Sequence, residues 1–514
     1  MSQPKHPRHV PQVKNTQYPL RYWKIGYWQK LTLSIWLIAL VIIPFADIEI
    51  VSFDPFLELT RMVNGLITPD FFATEYLFEA IIQTVNFAII GVCLGLVLGA
   101  PLALIYQHPI VSSCCAFLRA IHEIFWALLF LQIFGLSPIT GILAITIPFA
   151  ATFARVFHDI INQSPDSPLE SIDKRADIIS RFTYGKIAQV MPQLMSYTRY
   201  RFECALRSSA VLGFIGMPTL GFYMETSFRQ GNYSEGAALL MIFIALIGLI
   251  RYWCPPKLLG VYLVIACVTL VDIPNVDSSL LVRFITQDIL PPAITNAATL
   301  AEVQWLSLSA WFSTLMLEQA IPGAIATITL ALMALAATHF ITLSAHTIAS
   351  KHLWPAPFTW FGRFMLLIGR SVPEYILAFI FLMLLGPSML PAVIALAIHN
   401  GCVIAYLAVK QSNAIAPQEM QMSRLNQFNY HIMPTIYPNM MALLFYRFEI
   451  IVRETAVFGI LGIMTLGFYI DSNFSEIRYS NALVLITCTA LLNVAIDILS
   501  RRLLKFPQAT QASC

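Results

Sequence analysis

Charged residues are scarce in this sequence. Asp, Glu, Lys and Arg make up 11% of the 514 residues, whereas an ordinary soluble domain has roughly 25%. Hydrophobic residues make up 58%. This composition excludes a soluble globular protein. It predicts an all-α polytopic membrane protein, in which each span is a helix of about 20 apolar residues.

The sequence also lacks the motifs of an enzyme. It has no H-E-x-x-H zinc site and no G-x-S-x-G nucleophile elbow, and its nine cysteines form no C-x-x-C pair. The nearest approach to an ATP-binding loop is Tyr184-Gly185-Lys186-Ile187, which lacks the preceding glycine and the Ser/Thr that binds magnesium. We therefore expect no catalytic residues, no metal site and no bound cofactor. Single histidines such as His339 and His399 are interpreted as polar packing residues.

Acidic residues are absent from the first 30 positions, which carry six lysines and arginines. By the positive-inside rule, residues 1–30 form a basic cytoplasmic tail. The stretch is long, polar and rich in proline, so it is not a signal peptide. Arg501, Arg502 and Lys505 likewise predict a cytoplasmic C-terminal tail over 506–514.

The chain contains a long internal repeat. Residues 199–228 match residues 445–474 without a gap at an offset of 246, with 15 of 30 positions identical. Residues 119–135 match 370–386 at an offset of 251. The repeat predicts two homologous halves in the same orientation, 31–255 and 256–505.

Apolar runs and the polar stretches between them predict about 12 transmembrane helices, six in each half. We place outer segments at 47–79 and 272–317, polar cytoplasmic stretches at 161–195 and 411–437, and an outer turn at the GFYMETSF end of the first repeat. The expected spans are 31–46, 80–106, 114–134, 138–160, the first repeated segment, 236–253, 257–272, 322–346, 358–385, 388–410, the second repeated segment and 479–499.

Ionisable residues inside these spans need a partner or water, because a charge at mid-bilayer costs at least about 2.5 kcal/mol. The spacing i, i+4 allows Glu203–Arg207, Glu449–Arg453, Arg119–Glu123 and Arg370–Glu374 to neutralise each other. Alternatively, the arginines face the seam between the halves and attract an oxyanion. Glycines near Thr219 and Thr465 indicate close packing or a gate. The candidate translocation path comprises Arg207, Arg453, Thr219, Thr465, Glu123 and Glu374.

The polar stretches 170–192 and 416–434 are similar to the cytoplasmic coupling loops of ABC importer permeases. The segments RAIHEIFWALLFLQIFG and YRFECALRSSAVLGFIGMPTLGF, with their second copies, resemble the permease of phosphonate-type ABC importers. The second half keeps Pro373-Glu374, whereas the first has His122-Glu123. In the two loops, the resemblance selects Glu170, Asp173, Ala176, Arg181, Glu419, Arg424 and Pro434.

The resemblance implies a type I ABC importer permease fold, with two fused copies in place of a permease homodimer. It further implies a bacterial inner-membrane location, two separate ATPase subunits that use ATP, a solute-binding protein and no nucleic acid. The implied substrate is a phosphonate, phosphite or phosphate. The alternative is a secondary transporter of an anionic solute, driven by an ion gradient through Glu123 and Glu374.

Overall fold

The computed structural model describes residues 26–52, 54–165, 172, 176–255, 258–270, 278–295, 304–415 and 423–511. Every regular element among these residues is helical. In the described ranges, six helices are long and apolar enough to cross a membrane, and up to ten spans result if each bent pair of helices counts as one. The described part of the chain is therefore all-helical, and its apolar helices indicate a multi-pass membrane protein.

The helices before residue 256 are α1 (Tyr27–Ile42), α2 (Pro55–Ile67), α3 (Leu77–Leu104), α4 (Pro109–Ala120), α5 (Glu123–Phe134), α6 (Pro138–Gln163), α7 (Ile178–Phe182), α8 (Ala188–Val211), α9 (Leu220–Arg229), α10 (Tyr233–Gly248) and α11 (Ile250–Trp253).

The helices after residue 257 are α12 (Leu259–Thr269), α13 (Ser278–Arg283), α14 (Pro292–Thr295), α15 (Trp305–Leu315), α16 (Ile321–Ala349), α17 (Ala356–Ser371), α18 (Glu374–Leu385), α19 (Met389–Ala414), α20 (Arg424–Gln427), α21 (Met433–Val457), α22 (Leu466–Ser475) and α23 (Tyr479–Gln511).

Two of the expected straight spans, 114–134 and 358–385, are sharply bent pairs of helices. The axes of α4 and α5 differ by 88°, and those of α17 and α18 by 93°. The turn occurs where Ile121 and Val372 adopt extended backbone, with ψ of 129° and 125°. Proline at 373 disfavours helical backbone at Val372. In both places a single apolar run predicted one helix, whereas the backbone forms two helices.

The repeated segments contain a second kind of break. After α8 and α21, a 3₁₀ turn leads to Gly216 and Gly462, whose φ angles of 96° and 91° are left-handed. Helices α9 and α22 then begin, bent from the preceding helices by 50° and 44°. The expected outer turn at GFYMETSF is thus wrong, because these residues form α9. Glycine allows the left-handed turn that separates the two helices.

The outer segment expected at 272–317 is helical at its described C-terminal end. Helix α15 continues through a π-helical turn at Met316–Ala320 into α16, which gives one apolar helix over Trp305–Ala349, 45 residues long. The expected span at 322–346 therefore begins earlier in the structure.

The two halves exchange their first helices. Helix α1 packs on α16 of the second half, whereas α12 packs on α3 of the first half. Trp36 of α1 donates from Nε1 to Nδ1 of His339 at 3.1 Å. Asn86 of α3 donates to the Thr269 hydroxyl at 2.8 Å. One large core of buried apolar side chains includes residues of both halves.

Candidate functional site

A cavity of about 90 Å³ lies where the two halves meet. A buried water molecule needs only roughly 10–15 Å³, so the cavity has room for several water molecules or a small anion. We call it the seam cavity. Its lining residues are His122, Glu123, Tyr200, Arg201, Cys204, Arg207, Ser208, Val211, Pro373, Glu374, His399, Arg447, Ile450, Arg453 and Glu454.

The repeated helices supply the arginines of the seam cavity. Arg201 and Arg207 lie on α8, and Arg447 and Arg453 occupy the positions 246 residues later on α21. Among the residues that the structure describes, no carboxylate forms an ion pair with any of the four. Three carboxylates nevertheless line the same cavity. The four guanidinium groups therefore share the cavity with carboxylates but form no direct ion pair with them.

Arg207 and Arg453 each reach into the opposite half. One guanidinium nitrogen of Arg207, Nη1, lies 3.1 Å from Nε2 of His399. Nη1 of Arg453 donates to the carbonyl oxygen of Arg119 at 3.2 Å. That carbonyl belongs to the last turn of α4, where the bend leaves backbone oxygens without a partner in the helix. Of the six residues of the predicted path, these two and both glutamates line the cavity.

The other two arginines contact side chains that differ between the halves. The guanidinium group of Arg201 lies 3.9 Å from the centre of the Phe149 ring. Arg447 donates instead to the Asn400 side-chain oxygen at 3.4 Å. The Nε atoms of Arg201 and Arg453 are buried without a hydrogen-bond partner in the structure. The path predicted from the sequence did not include Arg201 and Arg447. They are identical residues at equivalent positions of the repeat, and this identity could have identified them.

Glu123 and Glu374 are the first residues of α5 and α18, where a negative charge is stabilised by the helix dipole. The Ser208 hydroxyl donates to Oε1 of Glu123 at 3.4 Å. Oε2 of Glu374 lies 3.3 Å from Nε2 of His399 but without hydrogen-bond geometry. His399 was interpreted from the sequence as a packing residue, but its ring lines the cavity.

The ion pairs expected within single helices do not form among the described residues. Glu203 lies 3.7 Å from Arg370, and Glu449 accepts a hydrogen bond from Arg119 at 2.8 Å. Both pairs join one half to the other at equivalent positions of the repeat. The correct residues were recognised, but their partners are on the opposite half.

Thr219 and Thr465 lie outside the seam cavity. Both are fully buried and precede α9 and α22. Neighbouring helices supply hydrogen-bond acceptors to these helix starts. The backbone N–H of Leu220 donates to the Thr84 hydroxyl at 2.9 Å, and that of Leu466 donates to the Thr327 hydroxyl at 3.1 Å. The structure thus places the two threonines at packed helix junctions.

The two predicted coupling loops have matching architecture where they are described. Asp177 caps α7, since its side chain accepts from the Ser180 backbone at 3.0 Å, and Ser423 caps α20. Hydrogen bonds from Ser180 hold the pKa of Asp177 below its ordinary value. In each loop a π-helical turn, Thr183–Ile187 or Phe428–Ile432, follows the short helix.

The residues selected in these loops fall into two groups. Ala176 is half-buried next to the Asp177 cap, Arg181 lies in the last turn of α7, Arg424 begins α20, and Pro434 lies in the first turn of α21. Glu170, Asp173 and Glu419 lie outside the described residues.

No group of three or more His, Cys, Asp or Glu side chains within the described ranges is arranged to hold a metal ion. The seam cavity is instead a site of four arginines, three glutamates and two histidines. Guanidinium groups without carboxylate partners can bind an oxyanion through paired N–H donors.

Comparisons with known proteins find similar chains among transport permeases. The family model for the binding-protein-dependent transport system inner membrane component matches residues 347–505. The phosphate-import permease protein PhnE of Mycolicibacterium smegmatis is 23% identical over 453 residues, covering 82% of this chain and 83% of the relative. The phosphite transport system permease protein PtxC of Stutzerimonas stutzeri is 23% identical over 258 residues, which cover 46% of this chain and 92% of the relative.

A shorter match is the putative cryptic phosphonate transport system permease protein PhnE2 of Escherichia coli, 28% identical over 111 residues, with 21% of this chain and 91% of the relative covered. No solved structure matches the chain. The expected resemblance is confirmed: over most of its length this chain is similar to the permeases of phosphonate-type ABC importers.

Proposed function

We propose that the chain is the transmembrane subunit of an ATP-driven importer for a phosphorus oxyanion, either a phosphonate, phosphite or phosphate. The observation that carries this proposal is the seam cavity, where four arginines from equivalent positions of the two halves meet without a direct ion pair to a carboxylate. Planar guanidinium groups match the oxygens of a phosphoryl group in pairs. The names of the relatives support the same class of substrate.

The translocation path in this proposal runs along the seam between two fused halves of six helices each. The ion pairs Arg119–Glu449 and Glu203–Arg370 support a twofold arrangement, because they link equivalent positions in opposite directions. The path includes Arg207, Arg453, Glu123 and Glu374, whereas Thr219 and Thr465 support the breaks between helices.

Two ATPase subunits dock on the two coupling loops, and a solute-binding protein delivers substrate on the other side of a bacterial inner membrane. Both termini are cytoplasmic. The matched short helices capped by Asp177 and Ser423 support two docking sites of similar shape. Within the first loop, Glu170, Asp173, Ala176 and Arg181 contact the ATPase. The second loop uses Glu419, Arg424 and Pro434.

The test is purification of the full chain in mild detergent, followed by uptake measurements with the co-purified complex in proteoliposomes. We expect an ATPase to co-purify and radiolabelled phosphate, phosphite or methylphosphonate to accumulate only with ATP. Arg207→Lys and Arg453→Lys should raise KM for the oxyanion at least about tenfold, because lysine cannot form the bidentate contact. Arg363→Lys, on an exposed position of α17, is the matched control.

A secondary transporter is the second candidate, because Glu123 and Glu374 lie beside imidazole rings in the cavity and could carry protons. Uptake by the chain without an ATPase, abolished by dissipating the ion gradient, would establish this candidate and reject the importer.

A further inference from the structure

The two glutamates that begin α5 and α18 have different hydrogen-bond partners. The Ser208 hydroxyl on α8 donates to Oε1 of Glu123 at 3.4 Å. The equivalent residue of α21, 246 positions later, is Glu454, and its side chain is hydrogen-bonded to that of Glu374. The same two positions therefore join a hydroxyl to a carboxylate in the first half and two carboxyl groups in the second. We call Glu374 and Glu454 the glutamate pair.

The contact within the glutamate pair needs a proton. An ionised carboxylate only accepts hydrogen bonds, so a bond between Glu374 and Glu454 requires that one of them is protonated. Glu454 is 6% exposed, so little solvent is available to screen two negative charges. Two carboxyl groups this close share one proton, because like charges in contact cannot both form. In the first half, the Ser208 hydroxyl supplies the equivalent proton.

The surroundings of Glu454 also differ from those of the first half. Asn400 on α19 donates from Nδ2 to Oε2 of Glu454 at 3.5 Å. Its side-chain oxygen accepts from Arg447 at 3.4 Å, so the amide turns its N–H groups toward the acid. The residue equivalent to Asn400, 251 positions earlier, is Phe149. The second half therefore has an additional amide donor where it has an additional acid.

The two histidines of the seam cavity add no positive charge. Nδ1 of His122 accepts from the backbone N–H of Ile124 at 3.2 Å, so it carries no proton. Nδ1 of His399 donates to the carbonyl oxygen of Val372 at 2.8 Å. Nε2 of the same ring lies 3.1 Å from Nη1 of Arg207, which can only donate, so Nε2 accepts. Both rings are therefore neutral.

The net charge of the cavity follows from these hydrogen bonds. Its four arginines carry four positive charges. Glu123 carries one negative charge, and the glutamate pair with its shared proton carries one more. The two positive charges that remain match an anion with two negative charges. Only one would remain if both members of the glutamate pair were ionised.

We propose that Glu374 and Glu454 hold one proton between them, and that the seam cavity therefore binds its phosphorus oxyanion as a dianion. The identity of the anion rests on the proposed function, whereas the shared proton rests on the contact between the two side chains. A phosphorylated side chain loses its second proton at about pH 6. Dianions of this chemical class are therefore present at neutral pH.

Infrared spectroscopy of the purified complex tests the shared proton directly. With isotope-labelled glutamate, we expect a carbonyl band of protonated glutamic acid that is lost in Glu454→Gln, because Glu374 then has no partner acid and ionises. Glu454→Ser gives the second half the residue of the first and should lose the same band. Glu123→Gln is the matched control and should keep it, since Glu123 begins the equivalent helix beside a serine.

Equilibrium dialysis with the same complex, at about pH 8, tests the charge of the ligand. The probes are methylphosphonate, which carries two negative charges, and its monomethyl ester, which carries only one. We expect the wild type to bind methylphosphonate at least about tenfold more tightly, equivalent to about 1.4 kcal/mol. The ratio of the two affinities should stay within about threefold of the wild type in Glu454→Gln, whose remaining acid keeps one charge. It should rise at least about tenfold in Glu123→Gln, which removes a charge.

Absence of the band from the wild type, or no loss of it in Glu454→Gln, would overturn the shared proton. A ratio that rises equally in Glu454→Gln and Glu123→Gln would overturn it too, because both members of the glutamate pair would then be ionised. Equal binding of the two probes by the wild type would overturn the dianion. Absence of ATP-dependent oxyanion uptake would overturn the proposed function and the identity of the ligand, while the infrared result would still decide the shared proton.

Discussion

Arg119 and Arg370 hold equivalent positions in the two halves, but their surroundings differ. Arg119 donates to Glu449 at 2.8 Å and to Asp497 at 2.9 Å, and all three side chains are largely buried. Arg370 lies 3.7 Å from Glu203 and stacks on an aromatic ring. Arg119 therefore links the halves through two carboxylates, whereas Arg370 links them through one longer contact.

This difference predicts unequal effects of the same substitution. Arg119→Gln leaves Glu449 without its cation, whereas Asp497 keeps its ion pair with Arg501, and breaking a buried ion pair costs about 3–5 kcal/mol. Arg370→Gln should cost less than half as much, because only one long contact is lost. The measurement is the temperature at which half of the detergent-solubilised protein loses its native gel-filtration peak. Equal shifts for the two variants would contradict the assignment of Arg119 as the stronger link.

The sequence identified these arginines and glutamates through the repeat but paired them incorrectly. Spacing of i, i+4 brings two side chains of one helix near each other, yet it contains no information about a helix from the other half. Glu203 and Glu449 reach cross-half arginines that only the folded chain brings close. The proximity of His399 to Glu374 was missed for the same reason, because the two residues lie on different helices.

At the scale of the helices, the sequence predicted most spans but not their breaks. The boundaries of α3, α6 and α19 lie within a few residues of the apolar runs at 80–106, 138–160 and 388–410. The bends after α4 and α17 were missed, because the apolar run continues through a turn that consists of two extended residues. These bends place Glu123 and Glu374 at helix starts inside the cavity.

The junctions between α8 and α9 and between α21 and α22 depend on glycine. A Cβ atom at Gly221 would overlap the carbonyl oxygen of Ala210, and one at Gly467 would overlap that of Ala456. Alanine at either position should therefore cost about 3 kcal/mol in folding free energy, the upper end of the range that is typical of overpacked sites.

The yield of monodisperse protein in detergent and its melting temperature measure this effect. Gly248→Ala is the control, because its added Cβ meets open space. Unchanged yield and melting temperature in Gly221→Ala would show that the two helices do not approach each other this closely.

At the scale of the whole molecule, the exchange of α1 and α12 makes each half depend on the other. Helix α1 packs mainly on the second half. Its Trp36 donates a hydrogen bond to His339, and His339 lies 3.2 Å from the Tyr437 hydroxyl. Either half by itself would expose the buried face that the exchanged helix covers. The two halves are therefore held together by packing between their helices, and not only by the chain segment that links them.

This arrangement predicts that the two halves assemble when both are present as separate chains, but that neither half is stable alone. Expression of residues 1–255 and 256–514 as two separate chains in one cell should give a stable complex, with the proposed oxyanion uptake within about threefold of that of the intact protein. The estimate corresponds to about 0.7 kcal/mol. Either chain alone should be degraded, as a pulse-chase measurement would show. A single half that is stable by itself would contradict the exchange of first helices.

Asp497 has a consequence for how this protein can evolve. Its counterpart in the first half, 246 positions earlier, is Arg251. In an assembly of two identical subunits every mutation arises twice, so two copies of the first half would bring Arg251 towards Arg119 and set like charges against each other. Two copies of the second half would have no such conflict. The first half should therefore pair less well with a second copy of itself than with the second half, and a chain that lost its second half would have to change Arg251 as well.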